Sequence, residues 1–298
     1  MLVVYNPTAG RHRVGRLWRV LDRLVMSGIR VELAETHWPG HAILLARQAA
    51  ERGQALVVAA GGDGTIAEVA VGIEGTDARL GIIPLGTANV LAHELRLPFA
   101  PDAIAAALGL GRTCGIWPGH MHGASGGADG VAMPRNGLFV QMLGAGFDAQ
   151  VVHHMHLPIK RGLGAMAYVL QAARELWRYP FRPIRVLVDG TPHDVASVIV
   201  TKGRLYGGRH LLAPGMAPTH HGFTVALFDR SGPLQALRYA AALPLGMLPR
   251  LSGVRLLPAH TVSIEGQAVP VQTDGDIGGC TPLHVTEAVR PIPVVIAR

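Results

Sequence analysis

Residues 55–65 read ALVVAAGGDGT, and the reading of this stretch decides the fold. An apolar run of strand length breaks into three glycines around one carboxylate, Asp63, and continues as TIAEVAVGI at helical spacing. A strand apolar on both faces, a glycine-rich turn and a following helix form the unit of a parallel sheet. Because the helix starts at the turn, its first backbone N–H groups and its dipole face any anion held in the loop. Loops of this kind usually recruit a lysine, yet neither the loop nor the helix behind it contains one.

Outward from this loop the same alternation continues. Upstream lie a strand MLVVYN, a helix GRLWRVLDRLVMSG with Leu17, Leu21 and Leu24 on one face, a strand RVELAET and a helix HAILLARQAAERG. Downstream come a strand RLGIIPL and helices over NVLAHEL and APDAIAAALGLG. The pattern predicts a doubly wound, Rossmann-like α/β domain over residues 1–113. Such sheets bind ligands at the carboxyl ends of their strands. There the sequence places Asn6-Pro7-Thr8-Ala9-Gly10, Thr36, the loop from Gly61 to Thr65, and Pro84 to Asn89. Asn, Thr, Gly and Asp are suited to phosphate, ribose and hydrated metal, whereas each stretch alone also fits an ordinary turn or helix cap.

After residue 113 the texture changes to short strand-like runs bounded by Gly, Pro, Asp or Asn: GLFVQMLGAGF, IRVLVDG, ASVIVTKG, GFTVALFD, VRLLPAHTVSIEG and PLHVTEA. They predict a mostly antiparallel β-sandwich over residues 114–287. Helices are expected at GLGAMAYVLQAARELWRY and near PLQALRYAAAL, and a loop at GHMHGASGGADG, residues 119–130. The tail, about residues 288–298, is a candidate to return to the first domain.

The 298 residues are 49% hydrophobic and 16% charged, with 38 glycines and 21 prolines, which describes a folded, turn-rich chain. No apolar run is long enough to span a bilayer and the N-terminus lacks a signal-peptide pattern, so a cytoplasmic protein is expected. Two cysteines, Cys114 and Cys280, match no metal or redox spacing. The net charge of +7 favours an anionic partner. No arginine-rich tail or aromatic-interleaved basic run points to nucleic acid, and none is expected.

GGDGT with IAE behind it, PLGTANVLAHEL, and upstream YNPTAG and THWPGHA together resemble the diacylglycerol kinase catalytic family, which includes YegS-like lipid kinases and the sphingosine and ceramide kinases. GAGFDAQVV and GGCTPLHVT extend the resemblance over nearly the whole chain. It implies an ATP- and Mg²⁺-dependent transfer of the γ-phosphoryl group to a primary hydroxyl of a lipid, in a cleft between the domains. The nucleotide would lie near Asn6, Thr36, Gly61, Gly62, Asp63, Gly64, Thr65, Glu68, Thr87 and Asn89. Asp63 is expected to organise hydrated Mg²⁺, and Asp148 to face the lipid headgroup.

Two positions depart from the family pattern. Where the family carries Asp-Gly-Glu, with the glutamate as general base, this chain has Asp274-Gly275-Asp276. Asp276 then takes the base role on a side chain one methylene shorter. A purely structural reading makes Asp-Gly the turn of a hairpin. In PGMAPTHHGF, His220 and His221 stand where acidic residues of a structural magnesium site are usual. Imidazole suits magnesium poorly, so that accessory site is expected to be absent or altered. His153-His154-Met155-His156 does not place its histidines on one helical face and is not expected to bind metal.

Lys160, Arg161, Arg174, Arg178, Arg182 and Arg185 flank the helix expected over residues 162–179, and suggest peripheral contact with an anionic membrane surface. Two other readings stay open: a soluble, NAD-kinase-like kinase of a small metabolite, and a non-catalytic nucleotide- or lipid-binding homologue.

Overall fold

A computed structural model describes residues 1–9, 13–123, 136–153, 179–266 and 269–297. The chain divides into two compact units, Met1–Trp117 with Val289–Arg298, and Pro118–Ala288.

The first unit is built on a six-stranded sheet. Strands β1 (Leu2–Tyr5), β2 (Glu32–Glu35), β3 (Leu56–Gly61) and β4 (Arg79–Pro84) run parallel in the order β2-β1-β3-β4. Every residue of β3 is buried, as its uninterrupted apolar sequence requires of a central parallel strand. Helices α1 (Val14–Met26), α2 (His41–Glu51), α3 (Asp63–Ile73), α4 (Val90–Glu94) and α5 (Pro101–Leu110) connect the strands and cover the sheet. Helix α1 buries Leu17, Val20, Leu21 and Leu24, the stripe that its periodicity predicts.

Strand β5 (Arg112–Ile116) closes the edge, and a strand from the far end of the chain lies between β4 and β5. That last strand, β20 (Ile292–Ile296), runs antiparallel to β5 and parallel to β4. A division after residue 113 therefore falls inside β5, whose five residues all pair with β20.

The second unit is a sandwich of two six-stranded sheets. One contains β6 (Gly119–Gly123), β7 (Asn136–Phe139), β9 (Ile184–Val188), β10 (Thr191–Val195), β16 (Val262–Ile264) and β19 (Leu283–Glu287). The other contains β8 (Met142–Ala145), β11 (Ser197–Thr201), β14 (Phe223–Phe228), β15 (Val254–Ala259), β17 (Pro270–Thr273) and β18 (Asp276–Cys280). All their recorded pairings are antiparallel, and inward side chains of both sheets, among them Phe139, Leu143, Val200, Val225, Val271 and Val285, share one core. Among the described residues, β12 (Leu205–Tyr206) and β13 (His210–Leu211) form a further short ribbon.

Three local expectations change. Residues 119–123 form β6 rather than a loop, because they pair along β19. The run read as one strand at 137–147 splits into β7 and β8, which belong to different sheets. Residues after Gly146 form a helix, α6 (Phe147–His153), with Gly146 at φ +111° where the chain leaves the sheet. The helix expected near residue 233 is present as α7 (Pro233–Ala242). The one expected over 162–179, with Lys160, Arg161, Arg174 and Arg178 and the histidines after His153, lies outside the described residues save for Tyr179. Of its flanking arginines, Arg185 pairs with Asp194 at 3.6 Å on the exposed face of β9.

Candidate active site

Four loops meet at the carboxyl edge of the parallel sheet, and backbone contacts tie them together. The carbonyl of Gly61 accepts hydrogen bonds from the N–H groups of Leu85 (2.8 Å) and Gly86 (3.1 Å), joining the β3 and β4 loops. The two loops touch through glycine: a Cβ on Gly86 would lie 2.5 Å from Gly62 Cα. Any side chain there would drive the loops apart. Asn6 Nδ2 donates to Thr65 Oγ1 at 3.1 Å, linking the β1 loop to the start of α3. A Cβ on Gly61 would lie 2.4 Å from the same Thr65 hydroxyl oxygen.

The acidic residues of the loops face backbone amides. Glu68, on α3, accepts the N–H groups of Gly40 (2.9 Å) and Ala42 (3.1 Å) and so caps α2. Thr36, just before that loop, donates its N–H to the carbonyl of Tyr5 at 2.8 Å. Asp63 turns its carboxylate towards the N–H groups of Val90, Leu91 and Asn89 at the start of α4. Burial raises its pKa, while those amides act in the opposite direction. Its Oδ1 is buried and has no hydrogen-bond partner. Asn89 is 1% exposed with φ +47°, and its Nδ2 donates to Gly86 O at 2.6 Å. Thr87 is exposed at the tip of the same loop.

Two arginines that the motif reading passed over reach this edge. Arg13 donates to Gly86 O, and Arg16 Nη1 donates to Pro84 O at 2.6 Å. Burial, helped by the neighbouring Arg13, lowers the pKa of Arg16. Their signal was a pair of basic residues three apart just behind the first loop, on the helix that returns past the sheet edge.

In the second unit the candidate residues gather around the hairpin of β17 and β18. Thr273 pairs with Asp276, leaving Asp274 and Gly275 as a two-residue turn with φ +50° and +83°. Two successive positive φ values define the hairpin turn for which Asp-Gly is selected. Asp274 is more than a turn former. Its Oδ1 accepts the N–H groups of Gln141 (2.8 Å) and Met142 (2.9 Å), and its Oδ2 that of Val140 (2.8 Å). The carboxylate thus fixes the hairpin to the crossing between β7 and β8. Asp276 follows the turn with its side chain exposed.

Behind the hairpin, Gln272 Oε1 accepts the Gly275 N–H at 2.8 Å and its Nε2 donates to Asp148 Oδ2 at 3.1 Å. The other oxygen of Asp148 accepts the hydroxyl of Tyr206. Burial raises the pKa of Asp148 against the lowering effect of these two bonds. Gly144 makes room for the pair, since a Cβ there would lie 2.8 Å from Asp148 Oδ2 and 2.9 Å from Gln272 Nε2. Tyr206 and Gln272 carry no motif, and only packing identifies them.

The segment with His220 and His221 is held by a buried cation. Lys202 is 0% exposed, and its Nζ donates to His220 O (3.0 Å), Gly222 O (2.5 Å) and Glu287 Oε1 (2.5 Å). Glu287 also accepts His221 Nδ1 and the Gly222 N–H, each at 2.8 Å. Burial lowers the pKa of Lys202 and Glu287 opposes the shift. For Glu287, burial alone would raise the pKa, but the bonds from Lys202 and His221 and the lysine charge bring it below the usual carboxylate range.

Comparison with known proteins gives these arrangements a context. Residues 1–116 match the profile of the diacylglycerol kinase catalytic domain, and residues 141–297 that of the YegS C-terminal NAD kinase beta sandwich-like domain. The chain is 27% identical to a diacylglycerol kinase of Bacillus subtilis over 99% of its length and 96% of that protein. It is 31% identical to a protein of Chromohalobacter salexigens described as a probable YegS-like lipid kinase, over 86% of this chain and 80% of that one. A crystal structure of a diacylglycerol kinase from Bacillus anthracis shares the fold, with a TM-score of 0.70 at 17% identity over 99% of this chain and 96% of that one.

Proposed function

The chain belongs to the diacylglycerol kinase family, whose catalytic domain and YegS-type sandwich it spans, and on that premise we propose that it transfers the γ-phosphoryl group of ATP to a primary hydroxyl of a lipid. The observation that carries this reading is the contact of Gly62 with Gly86, backbone on backbone, at the amino end of α3. That contact leaves the first turn of α3 lined by amides and free of side-chain bulk on the glycine side, which is what a polyphosphate needs.

ATP and Mg²⁺ fit the residues present. Gly62 and Gly86 lie backbone against backbone, too close for a Cβ on Gly86, so neither puts a side chain over the loop amides, and the unpartnered Asp63 Oδ1 is a hard oxygen acceptor for a metal-bound water. Bound ATP supplies the phosphoryl group, and its Mg²⁺ offsets the charge on the phosphate oxygens. The loop residues Gly61, Gly62, Gly64 and Thr65 would hold the phosphates through their amides. Asn6, Thr36, Thr87 and Asn89 would shape the nucleotide site, and Glu68 would act by holding the α2 loop in place. In place of a loop lysine, Arg13 and Arg16 stand at the same sheet edge.

On the acceptor side, Asp276 would take the proton of the lipid hydroxyl as its oxygen forms the new bond to phosphorus and ADP departs. We assign Asp148 to holding the hairpin through Gln272, because both of its oxygens are already engaged. The test is a transfer assay with labelled ATP, Mg²⁺ and a total lipid extract, comparing the wild type with Asp63→Ala and Asp276→Ala. Labelled lipid from the wild type alone is the expected result. Equal labelling by all three removes the site assignment, and labelling of a soluble metabolite instead of lipid removes the acceptor.

A further inference from the structure

Helix α7 is apolar on two sides, and among the described residues only one of them has a partner. Its inner side, with Tyr239, Ala242 and the following Leu243, packs on Phe228 and Ile199 of the second sandwich sheet and on Leu248 of the turn that follows the helix. The ring of Tyr239 meets Phe228 edge to face at 5.2 Å. Its outer side should be polar on a helix that merely covers a sheet. Instead, Leu234 is 74% exposed and Leu237 57%, and the turn after the helix adds Leu245 at 70% and Met247 at 51%. Leu234, Leu237 and Ala241 follow at intervals of three and four and lie along one stripe.

Charge narrows the choice of partner. No aspartate or glutamate occurs from Arg230 through Ile264, while Arg230, Arg238, Arg250 and Arg255 fall within that span. Arg255 is neutralised by Asp229 through a pair at 2.6 Å. Arg238 borders the apolar stripe, four residues after Leu234, and Arg250 closes the turn that presents Leu245 and Met247. A second copy docking by two-fold symmetry would set this arginine-bearing face, whose neighbouring carboxylate Asp229 is already paired with Arg255, against itself. An anionic lipid surface satisfies both features, since leucines enter the acyl boundary and arginines meet the phosphates.

We propose that the outer face of α7 and the turn through Arg250 form the docking surface by which the protein rests on an anionic phospholipid bilayer. The surface lies apart from Asp276 and Asp148 in sequence, and it rests on the lipid-kinase reading only for its purpose.

Vesicle co-sedimentation tests it, with phosphatidylcholine alone and phosphatidylcholine mixed with phosphatidylglycerol. The wild type should bind the mixed vesicles preferentially and lose binding as salt is raised. Leu234→Ser with Leu237→Ser should lower the partition coefficient at least tenfold, at an order of magnitude set by two lost apolar side chains. Arg238→Glu with Arg250→Glu should lower it by roughly fivefold or more per arginine. These side chains are exposed, so unchanged thermal melting should accompany both losses, and Trp18→Ser on α1 serves as an exposed apolar control. Equal binding by wild type and variants, or no preference for the anionic vesicles, overturns the proposal. So does a wild-type dimer in light scattering that Leu237→Ser converts to monomer, which gives the face to a second copy. Phosphorylation of lipid in detergent micelles separates the two readings. Variants that label micellar lipid but ignore vesicles place docking apart from catalysis, whereas vesicle binding without any labelling would count against the kinase and leave the docking face standing.

Discussion

Gln272 joins Asp148 to the Asp276 hairpin: its Nε2 donates to the buried carboxylate at 3.1 Å while its Oε1 holds the Gly275 N–H at 2.8 Å. Gln272→Leu keeps the volume but leaves the Gly275 N–H and Asp148 without these partners. We expect a loss of about 1–3 kcal/mol, the cost of unsatisfied buried groups, read by urea denaturation. Lipid phosphorylation should fall about tenfold or more through kcat, because the proposed base, Asp276, is displaced while the proposed nucleotide loops are untouched.

Replacement of Asp276 separates its chemistry from the turn beside it. Asp276→Ala should cost about 10²–10⁴-fold in kcat, the range for a removed general base, with unchanged melting. Asp276→Glu lengthens the side chain by one methylene and should retain measurable turnover. Full activity in the alanine variant would assign the hairpin to structure alone.

The glycine contact at the nucleotide loops gives a sharper test than the motif does. Gly86→Ala places a Cβ 2.5 Å from Gly62 Cα. It should weaken ATP binding by roughly tenfold or more in calorimetry, because the amides move off their common target. Gly75→Ala is a poor control because of its φ of +73°. Gly15→Ala, with open space around it, should leave binding unchanged.

Asp63 carries a pH signature. Its pKa is raised by burial, so its contribution to stability is present below the unfolded value of about 3.9 and is lost as pH rises through the folded value. The stability that this group contributes in acid is therefore smaller at higher pH. Asp63→Asn should match or exceed the wild type in melting temperature at pH 7 while losing phosphoryl transfer. If activity survives, Asp63 serves only to cap α4.

The buried lysine makes the opposite prediction. Glu287 has a lowered pKa, so its contribution is present above the unfolded value of about 4.3 and is lost as pH falls through the folded value. Lys202→Met removes the partner from a carboxylate that is only partly exposed, and should destabilise the protein by about 3 kcal/mol at pH 7. The gap to the wild type should narrow as pH falls. Because an ammonium already bridges the carbonyls of His220 and Gly222, EDTA should leave wild-type melting unchanged. A melting temperature that drops on chelation would reveal a metal in this segment.

Much of the fold was legible because its signals are local. An all-apolar run gives a central parallel strand, as in β3, and leucines at helical spacing give the buried stripe of α1. Asp-Gly gives a hairpin turn from its own backbone preferences, and Asp274 and Gly275 both have positive φ. The same locality misled at 119–123, where polar and glycine residues form a strand only because β19 lies alongside.

What each polar side chain touches was settled by tertiary structure. The amides that Asp274 holds lie 132 to 134 residues away, and Glu68 caps a helix that begins 27 residues before it. Lys202 is 0% exposed because Glu287 and two carbonyls surround it, and no sequence window contains all of these. The sequence by itself determined which loops lie together at the carboxyl edge of the parallel sheet, since strand and helix periods place them there. Only the folded chain decided which carboxylate meets an amide, a lysine or water, because that choice depends on desolvation and on partners from distant strands.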